Sequence, residues 1–232
     1  MTNSLLSYFI DNALTFLLTA PIVIIALTMH EASHAFVAYK LGDPTAKRYG
    51  RLTLNPLRHM DPLGAVCMFF FGVGWAKPVP IDCRYFKNPK RGMALSAAAG
   101  PCMNLALSVI GGFLYCLCLA LMRIPLFSIS VLPFSFMIRL LAQFFYLFHI
   151  LNLSLAVFNL LPIPPFDGSR VLFAFLPDKY YFGIMRYERY IQIVLLVLIY
   201  FGFADGFLSA VTAPLSDLIL RLFKLLFRIP LS

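Results

Sequence analysis

His30, Glu31 and His34 form the pattern His-Glu-X-X-His inside an apolar stretch. Side chains four positions apart lie on the same face of a helix, so the imidazoles of His30 and His34 can bind one metal ion together. Glu31 lies one position further round, where its carboxylate could act as a general base on water activated by the metal. This spacing is typical of zinc sites that hydrolyse peptide bonds. Because the surrounding stretch from Leu14 to Val37 has the character of a bilayer-spanning helix, the pattern predicts such hydrolysis inside a membrane.

A purely structural role is the alternative interpretation of these three residues. Two helix histidines and a glutamate could simply form hydrogen bonds to neighbouring helices. Placing three such polar groups in one spanning segment costs free energy, however, and ionisable residues inside a membrane usually serve a function. Metal binding is therefore the favoured hypothesis.

A second group of candidate site residues begins at Asn159, in the segment Asn-Leu-Leu-Pro-Ile-Pro-Pro-Phe-Asp-Gly. Its three prolines stop the preceding helix near Leu161, and the unwound backbone leaves the carboxylate of Asp167 free to point inward. One carboxylate and two histidines make a zinc site with an open fourth position, as catalytic zinc requires. The competing interpretation is that Asp167 caps a short helix beginning at Gly168. The local sequence is compatible with both roles.

The composition indicates an integral membrane protein. Of the 232 residues, 61% are hydrophobic and only 12% are charged, and the mean hydropathy is +0.84. These values exclude an ordinary soluble domain. Hydrophobic patterning predicts four long helices and a shorter amphipathic one. The long helices are expected at 13–40, 92–122, 134–161 and 187–211, and the amphipathic helix at 214–229.

We therefore expect an all-α polytopic membrane protein, a bundle of about four to six transmembrane helices. A single domain is predicted over residues 1–232, with a catalytic core at 13–176 and C-terminal helices at 187–229. Residues 4–19 form either a separate short helix or the start of the first span, since Pro21 permits a break.

The interval 50–91 does not follow the helical pattern, because Gly and Pro recur too often for a spanning helix. It predicts a small strand or re-entrant element between the first two core helices. An uncovered strand edge there could pair with an unwound substrate by strand addition. A surface loop packed on the bundle explains the same pattern equally well.

The distribution of basic residues predicts the orientation of the chain. Ten of the 19 Lys and Arg residues fall in 40–91 and four in 162–190, whereas 123–139 holds only two. The ends of the first and third spans are therefore expected to face the cytoplasm, and topology rather than nucleic-acid binding explains the net charge of +9. His30 lies ten residues before Lys40, which places the metal roughly 15 Å below the cytoplasmic boundary at about 1.5 Å per residue.

Two further histidines compete weakly for a role at the metal. His149 shares a predicted helix with Asn152 and Asn159, and polar residues in spans also join helices by hydrogen bonds, which is the role we favour for it. His59 is predicted to serve loop structure or to orient a metal ligand. Neither belongs to the predicted ligand set.

Together, the His-Glu-X-X-His segment and the segment ending in Asp-Gly resemble the site-2 protease family of intramembrane metalloproteases, peptidase family M50. The chain most resembles the small bacterial branch without PDZ or CBS domains. The resemblance also covers the segments Gly42–Ala46, Leu54–Pro56, Asp61–Gly64, Trp75–Pro80 and Ala99–Pro101.

This resemblance implies Zn²⁺ held by His30, His34 and Asp167, with Glu31 as the general base. Asn159 becomes a candidate for contact with the substrate or with an oxyanion. The implied function is that of a zinc metalloendopeptidase that cuts in or near transmembrane segments of membrane proteins, in regulated intramembrane proteolysis. The implied location is a bacterial cytoplasmic membrane, with the active site nearer the cytoplasmic side and transmembrane proteins and the lipid bilayer as partners.

Two other functions remain as alternatives: a catalytically silent zinc-binding scaffold, and an ion transporter. The presence of Glu31 argues against the scaffold. The combination of the helix motif with a distant carboxylate, together with the lack of visible inverted repeats, argues against the transporter. Substrate identity and oligomeric state stay open at this stage.

Overall fold

The computed structural model describes residues 2–61, 64, 76–124, 132–177, 187–200 and 202–230. In these parts the chain forms seven α-helices and two single-turn 3-10 helices, at Pro56–Arg58 and Cys83–Tyr85. The α-helices are α1 (Thr2–Lys40), α2 (Thr45–Arg48), α3 (Pro89–Leu121), α4 (Leu132–Asn159), α5 (Asp167–Phe173), α6 (Glu188–Tyr200) and α7 (Phe203–Leu226). No strand occurs in the described ranges, and the predicted all-α class is confirmed.

Four of these helices are long and apolar enough to cross a membrane. The candidate spans are Leu17–Lys40, Pro89–Leu121, Phe134–Asn159 and Gly206–Leu226. Each has more than the roughly 20 residues needed for a hydrocarbon core about 30 Å thick. The protein is thus an integral membrane protein with a helical bundle, as predicted. Helix α1 continues through Pro21 without a break, so residues 4–19 are the start of the first helix.

The fourth span differs from the sequence prediction. The pattern predicts one span over 187–211, but α6 ends at Tyr200 and α7 begins at Phe203. Between them Gly202 has φ 76°, in the left-handed region that glycine tolerates and that interrupts a right-handed helix. The last span therefore lies in α7, and most of the predicted amphipathic helix at 214–229 is its second half.

Helix α3 lies at the centre of the bundle, in contact with α1, α4, α5 and α7. A buried line of small or polar residues follows one of its faces at every fourth position. This α3 line consists of Gly92, Ser96, Gly100, Asn104, Ser108, Gly112 and Cys116. Small residues allow helix backbones to approach closely, which is a main source of helix association in lipid. At Gly100 the line meets α1, and at Gly112 it meets α4 and α7.

The chain between α1 and α3 is a loop region tied to the end of α1. Asp43 is fully buried, and its carboxylate accepts hydrogen bonds from the backbone N–H groups of Thr45 and Asp82, each at 2.8 Å. Among the described residues of this region the only β pairing is one antiparallel bridge, between Met60 and Ala76. The rest of the predicted strand or re-entrant element, at 62, 63 and 65–75, lies outside the described residues.

Candidate metal centre

The structure brings the three predicted metal ligands together. His30 and His34, one helical turn apart on α1, both place Nε2 close to Oδ2 of Asp167, at 3.1 and 3.2 Å respectively. Their potential ligand atoms all lie within 4.8 Å of one another, and both imidazoles are buried. No other group of three or more such side chains occurs in the described part of the chain.

Asp167 reaches this point because the chain unwinds between α4 and α5. Helix α4 ends at Asn159, as the prolines predict, and α5 begins at Asp167 itself. The N-cap of α5 is Phe166, with no side-chain capping bond, so the carboxylate faces the imidazoles and does not cap the helix. A side chain at Gly168 would overlap the backbone of Leu160. Glycine there lets α5 pack against the end of α4.

Helix α3 supplies a partner for each imidazole. Nδ1 of His34 lies 2.7 Å from the carbonyl oxygen of Ser96, and Nδ1 of His30 lies 3.2 Å from Oδ1 of Asn104. Carbonyl oxygens only accept, so each Nδ1 carries a hydrogen, and the neutral tautomer with that hydrogen has its Nε2 lone pair directed towards Asp167. This is the tautomer that a metal ion requires.

Gly100 lies between these two partners and closes one side of the centre. A Cβ atom at this position would lie 2.5 Å from Nε2 of His34 and 2.6 Å from Nε2 of His30. The α3 backbone therefore packs directly against the ligand atoms. Sequence reasoning did not identify Ser96 or Asn104. The signal that could have found them is the four-residue spacing of the α3 line, which continues through both.

The donor set fits a zinc ion. A tetrahedral ion with bonds of about 2.0 to 2.1 Å to histidine and carboxylate ligands holds those ligand atoms roughly 3.3 Å apart. The distances of 3.1 and 3.2 Å from the two Nε2 atoms to Asp167 Oδ2 are close to this value.

A cavity of about 190 Å³ adjoins the centre and has Glu31 on its wall. Oε2 of Glu31 accepts a hydrogen bond of 3.1 Å from the backbone N–H of Val79, which lines the same cavity. Asn159 also lines it, while one N–H of its amide donates to the carbonyl of Leu155 at 3.0 Å. Among the described residues that line the cavity, Arg170 is the one Lys or Arg. Sequence reasoning missed Arg170, although its position three residues after Asp167 puts both on one face of α5.

The remaining histidines lie elsewhere. His149 is fully buried, with Nδ1 2.8 Å from the carbonyl oxygen of Ser108 on α3 and Nε2 3.0 Å from Oγ of Ser216 on α7. It therefore joins three helices, which is the role favoured by the sequence. His59 donates from Nε2 to the carbonyl of Thr53 at 2.8 Å and serves loop structure.

Comparison with known proteins identifies relatives of this chain. The model of peptidase family M50 matches residues 18–204. A Bacillus subtilis protein named "Putative zinc metalloprotease YwhC" is 41% identical over 208 residues, which cover 89% of this chain and 90% of that protein. A Mycobacterium tuberculosis protein named "Putative zinc metalloprotease Rip2" is 29% identical over 203 residues, covering 84% of this chain and 71% of that protein. No solved structure matches the chain.

Proposed function

The chain belongs to peptidase family M50 and is a zinc metalloprotease with membrane-spanning helices, and we propose that it hydrolyses peptide bonds in or next to the transmembrane segments of other membrane proteins. The observation that carries this proposal is the location of the candidate ligands. His30 and His34 are buried within the span Leu17–Lys40, against the central helix α3. A substrate that reaches them must be present at the same depth in the bilayer.

His30, His34 and Asp167 are the residues that would hold zinc. When bound, zinc supplies a Lewis acid that polarises a peptide carbonyl and makes water a stronger nucleophile near neutral pH. Glu31 is the proposed general base. The Val79 N–H engages Oε2 of its carboxylate, which leaves Oε1 to accept a proton from the attacking water. The same group can then deliver that proton to the leaving amine.

Two polar side chains on the cavity wall are proposed to contact the substrate. Asn159 retains one amide N–H beyond its bond to Leu155, and Arg170 brings a positive charge to the same wall. Fixed donors placed where negative charge develops stabilise the transition state of acyl transfer. We assign the oxyanion contact to Asn159 and a supporting electrostatic role to Arg170.

The geometry of peptide hydrolysis favours an extended substrate. In an α-helix the side chains surround the backbone, and each internal carbonyl accepts a hydrogen bond from an N–H of the same helix. The substrate must therefore unwind before its peptide bond reaches the centre. Residues with poor helix propensity, such as Gly, Asn and Pro, make this unwinding cheaper. Cleavage is expected near such residues.

The orientation is part of the proposal. The excess of basic residues in 40–91 favours a cytoplasmic location for the region between α1 and α3. The centre then lies nearer the cytoplasmic side, roughly 15 Å below that boundary. A bacterial cytoplasmic membrane is the proposed location, with transmembrane proteins as substrates.

The test compares the wild type with Glu31→Gln, both loaded with zinc and reconstituted in liposomes. The substrates are single-span peptides that contain Gly, Asn or Pro near the middle of the membrane, with an all-Leu span as the matched control. We expect the wild type to cleave the peptides that contain Gly, Asn or Pro. The Glu31→Gln variant should bind zinc equally but cleave these peptides at least about 100-fold more slowly. Equal cleavage by both proteins would refute the role of Glu31. Zinc binding without cleavage by either would favour the silent scaffold.

A further inference from the structure

Arg51 is a buried arginine in the loop region between α1 and α3, with only 6% of its surface exposed. Arginine is rarely buried unless it is paired, and no carboxylate among the described residues forms an ion pair with it. Its guanidinium instead donates to three main-chain carbonyls, those of Arg58, Lys77 and Pro78. These carbonyls belong to two stretches of chain that are far apart in sequence.

The three hydrogen bonds join those stretches beside the cavity. The stretch at 58–60 already pairs with the stretch at 76–78, because the N–H of Lys77 donates to the carbonyl of His59 at 2.8 Å. The guanidinium of Arg51 donates further hydrogen bonds to both stretches, to the carbonyl of Arg58 in the first and to those of Lys77 and Pro78 in the second. Residues 77–82, called the wall segment here, then continue past Glu31. The segment is fixed at its far end by the bond from Asp82 N–H to Asp43, at 2.8 Å.

Val79 lies between these two fixed points and is the residue that contacts the catalytic group. Its N–H donates to Glu31 Oε2 at 3.1 Å, directly after the two carbonyls that Arg51 binds. Arg51 also interacts electrostatically with Glu31. Burial lowers the pKa of Arg51, and the negative charge of Glu31 counteracts that change. Nε of Arg51 is also buried, and it has no hydrogen-bond partner among the described residues. The hydrogen bonds that the guanidinium makes to described residues all go to main-chain carbonyls.

We propose that Arg51 is a positioning residue for peptide hydrolysis, which holds the wall segment where the Val79 N–H orients the Glu31 carboxylate. The inference rests on the proposed function. It depends on the shape of guanidinium, a planar fork with five donors that can serve carbonyls on two chains at once. Lysine keeps the charge but offers a single ammonium group. Glutamine keeps two donors and loses the charge.

The activity test uses Arg51→Gln and Arg51→Lys as zinc-loaded full-length proteins in liposomes. A displacement of about 1 Å at a reacting group can cost roughly 100-fold in rate. We expect kcat to fall about 10-fold to 100-fold in both variants, with zinc stoichiometry unchanged because Arg51 contacts no ligand. Arg48→Gln is the matched control, since Arg48 lies close by on α2 with an exposed guanidinium bonded to Tyr85. It should retain the wild-type kcat.

Two further measurements separate positioning from general damage. Hydrogen–deuterium exchange of the wall segment should accelerate in Arg51→Gln and not in Arg48→Gln, while exchange in α3 stays as in the wild type. In Arg51→Ala, millimolar guanidinium chloride should restore part of the lost activity, whereas methylammonium should not. Rescue by guanidinium would show that the protein without the Arg51 side chain is folded, so the proposal can be tested even if Arg51→Gln folds poorly.

The exchange measurement needs no substrate, so it tests the role of Arg51 even if the wild type cleaves none of the peptides. Wild-type exchange of the wall segment in Arg51→Gln would overturn the proposal. So would a wild-type kcat in that variant. Loss of zinc together with faster exchange throughout α3 would replace positioning by a general structural role.

Discussion

Each histidine of the candidate metal centre is oriented by a partner on helix α3. The partners differ in kind, because Ser96 uses its backbone carbonyl and Asn104 uses its side chain. A backbone carbonyl survives substitution of its residue, whereas a side-chain oxygen does not. Substitution of Asn104 can therefore remove the hydrogen bond that orients His30, whereas substitution of Ser96 leaves the carbonyl that orients His34 in place.

Replacing Asn104 with Ala is expected to weaken zinc binding about 10-fold to 100-fold, because the ring of His30 loses the bond that sets its tautomer. Asn152→Ala is the matched control, since Asn152 is equally buried but bonds to the backbone of its own helix. Zinc affinity measured by competition with a chelator tests this expectation. Equal affinities for both variants would show that Asn104 does not orient the ligand.

Gly100 offers a steric test of the same centre. Gly100→Ala is expected to abolish stoichiometric zinc binding, because the new Cβ would lie 2.5 to 2.6 Å from both Nε2 atoms. Gly206→Ala, in a helix with nothing within 4 Å of the added Cβ, is the control and should stabilise the protein by about 0.5 to 1 kcal/mol. Metal analysis after purification separates the two. Full zinc content in Gly100→Ala would contradict this packing.

At the scale of elements, the α3 line serves two purposes along one helix. Its first half packs α1 and places the histidine partners, and its second half packs α4 and α7. His149 belongs to the second purpose, because it bonds to Ser108 of the line and to Ser216. Site geometry and bundle stability can therefore be changed separately.

His149→Ala is expected to lower the free energy of unfolding by about 1 to 3 kcal/mol, from the lost bonds between helices. Zinc content should stay at the wild-type level, since no candidate ligand contacts His149. Met137→Ala, on the same helix but 55% exposed, should change the stability much less. Detergent-induced unfolding and metal analysis give the two readouts. A folded but zinc-free His149→Ala would make this histidine a ligand after all.

At the scale of the whole molecule, the orientation of the bundle decides from which side water and substrates approach. The loop region between α1 and α3 carries an exposed cysteine, Cys83, and the opposite end of α3 is followed by Ile124, which is 44% exposed. These two positions report opposite sides of the membrane.

A chain with Cys83 as its sole cysteine should react with a membrane-impermeant maleimide in inverted vesicles and not in right-side-out vesicles. The expectation follows from the excess of basic residues on that side. A cysteine-free chain carrying Ile124→Cys is the control and should show the reverse pattern. Labelling of Cys83 only in right-side-out vesicles would reverse the orientation and place the centre nearer the outside.

The sequence by itself determined the membrane class and three of the four spans, and it proposed the metal ligands, because these inferences depend on composition and on local helical spacing. Hydropathy requires burial in lipid, and a four-residue repeat puts His30 and His34 on one face wherever the helix lies. The break at Gly202 escaped prediction because the apolar pattern continues on both sides of it. A residue in the left-handed conformation changes the direction of the chain without changing the hydropathy of the sequence around it.

Only the tertiary structure decided which distant groups meet. Asn104, Ser96 and Gly100 reach the centre because α3 packs against α1. Arg51 binds the carbonyls of Lys77 and Pro78, next to the Val79 N–H that contacts Glu31. Such contacts depend on the relative position of elements, and backbone groups are the same at every residue. No local pattern of side chains records them, which is the physical reason that the surroundings of the site had to come from the structure.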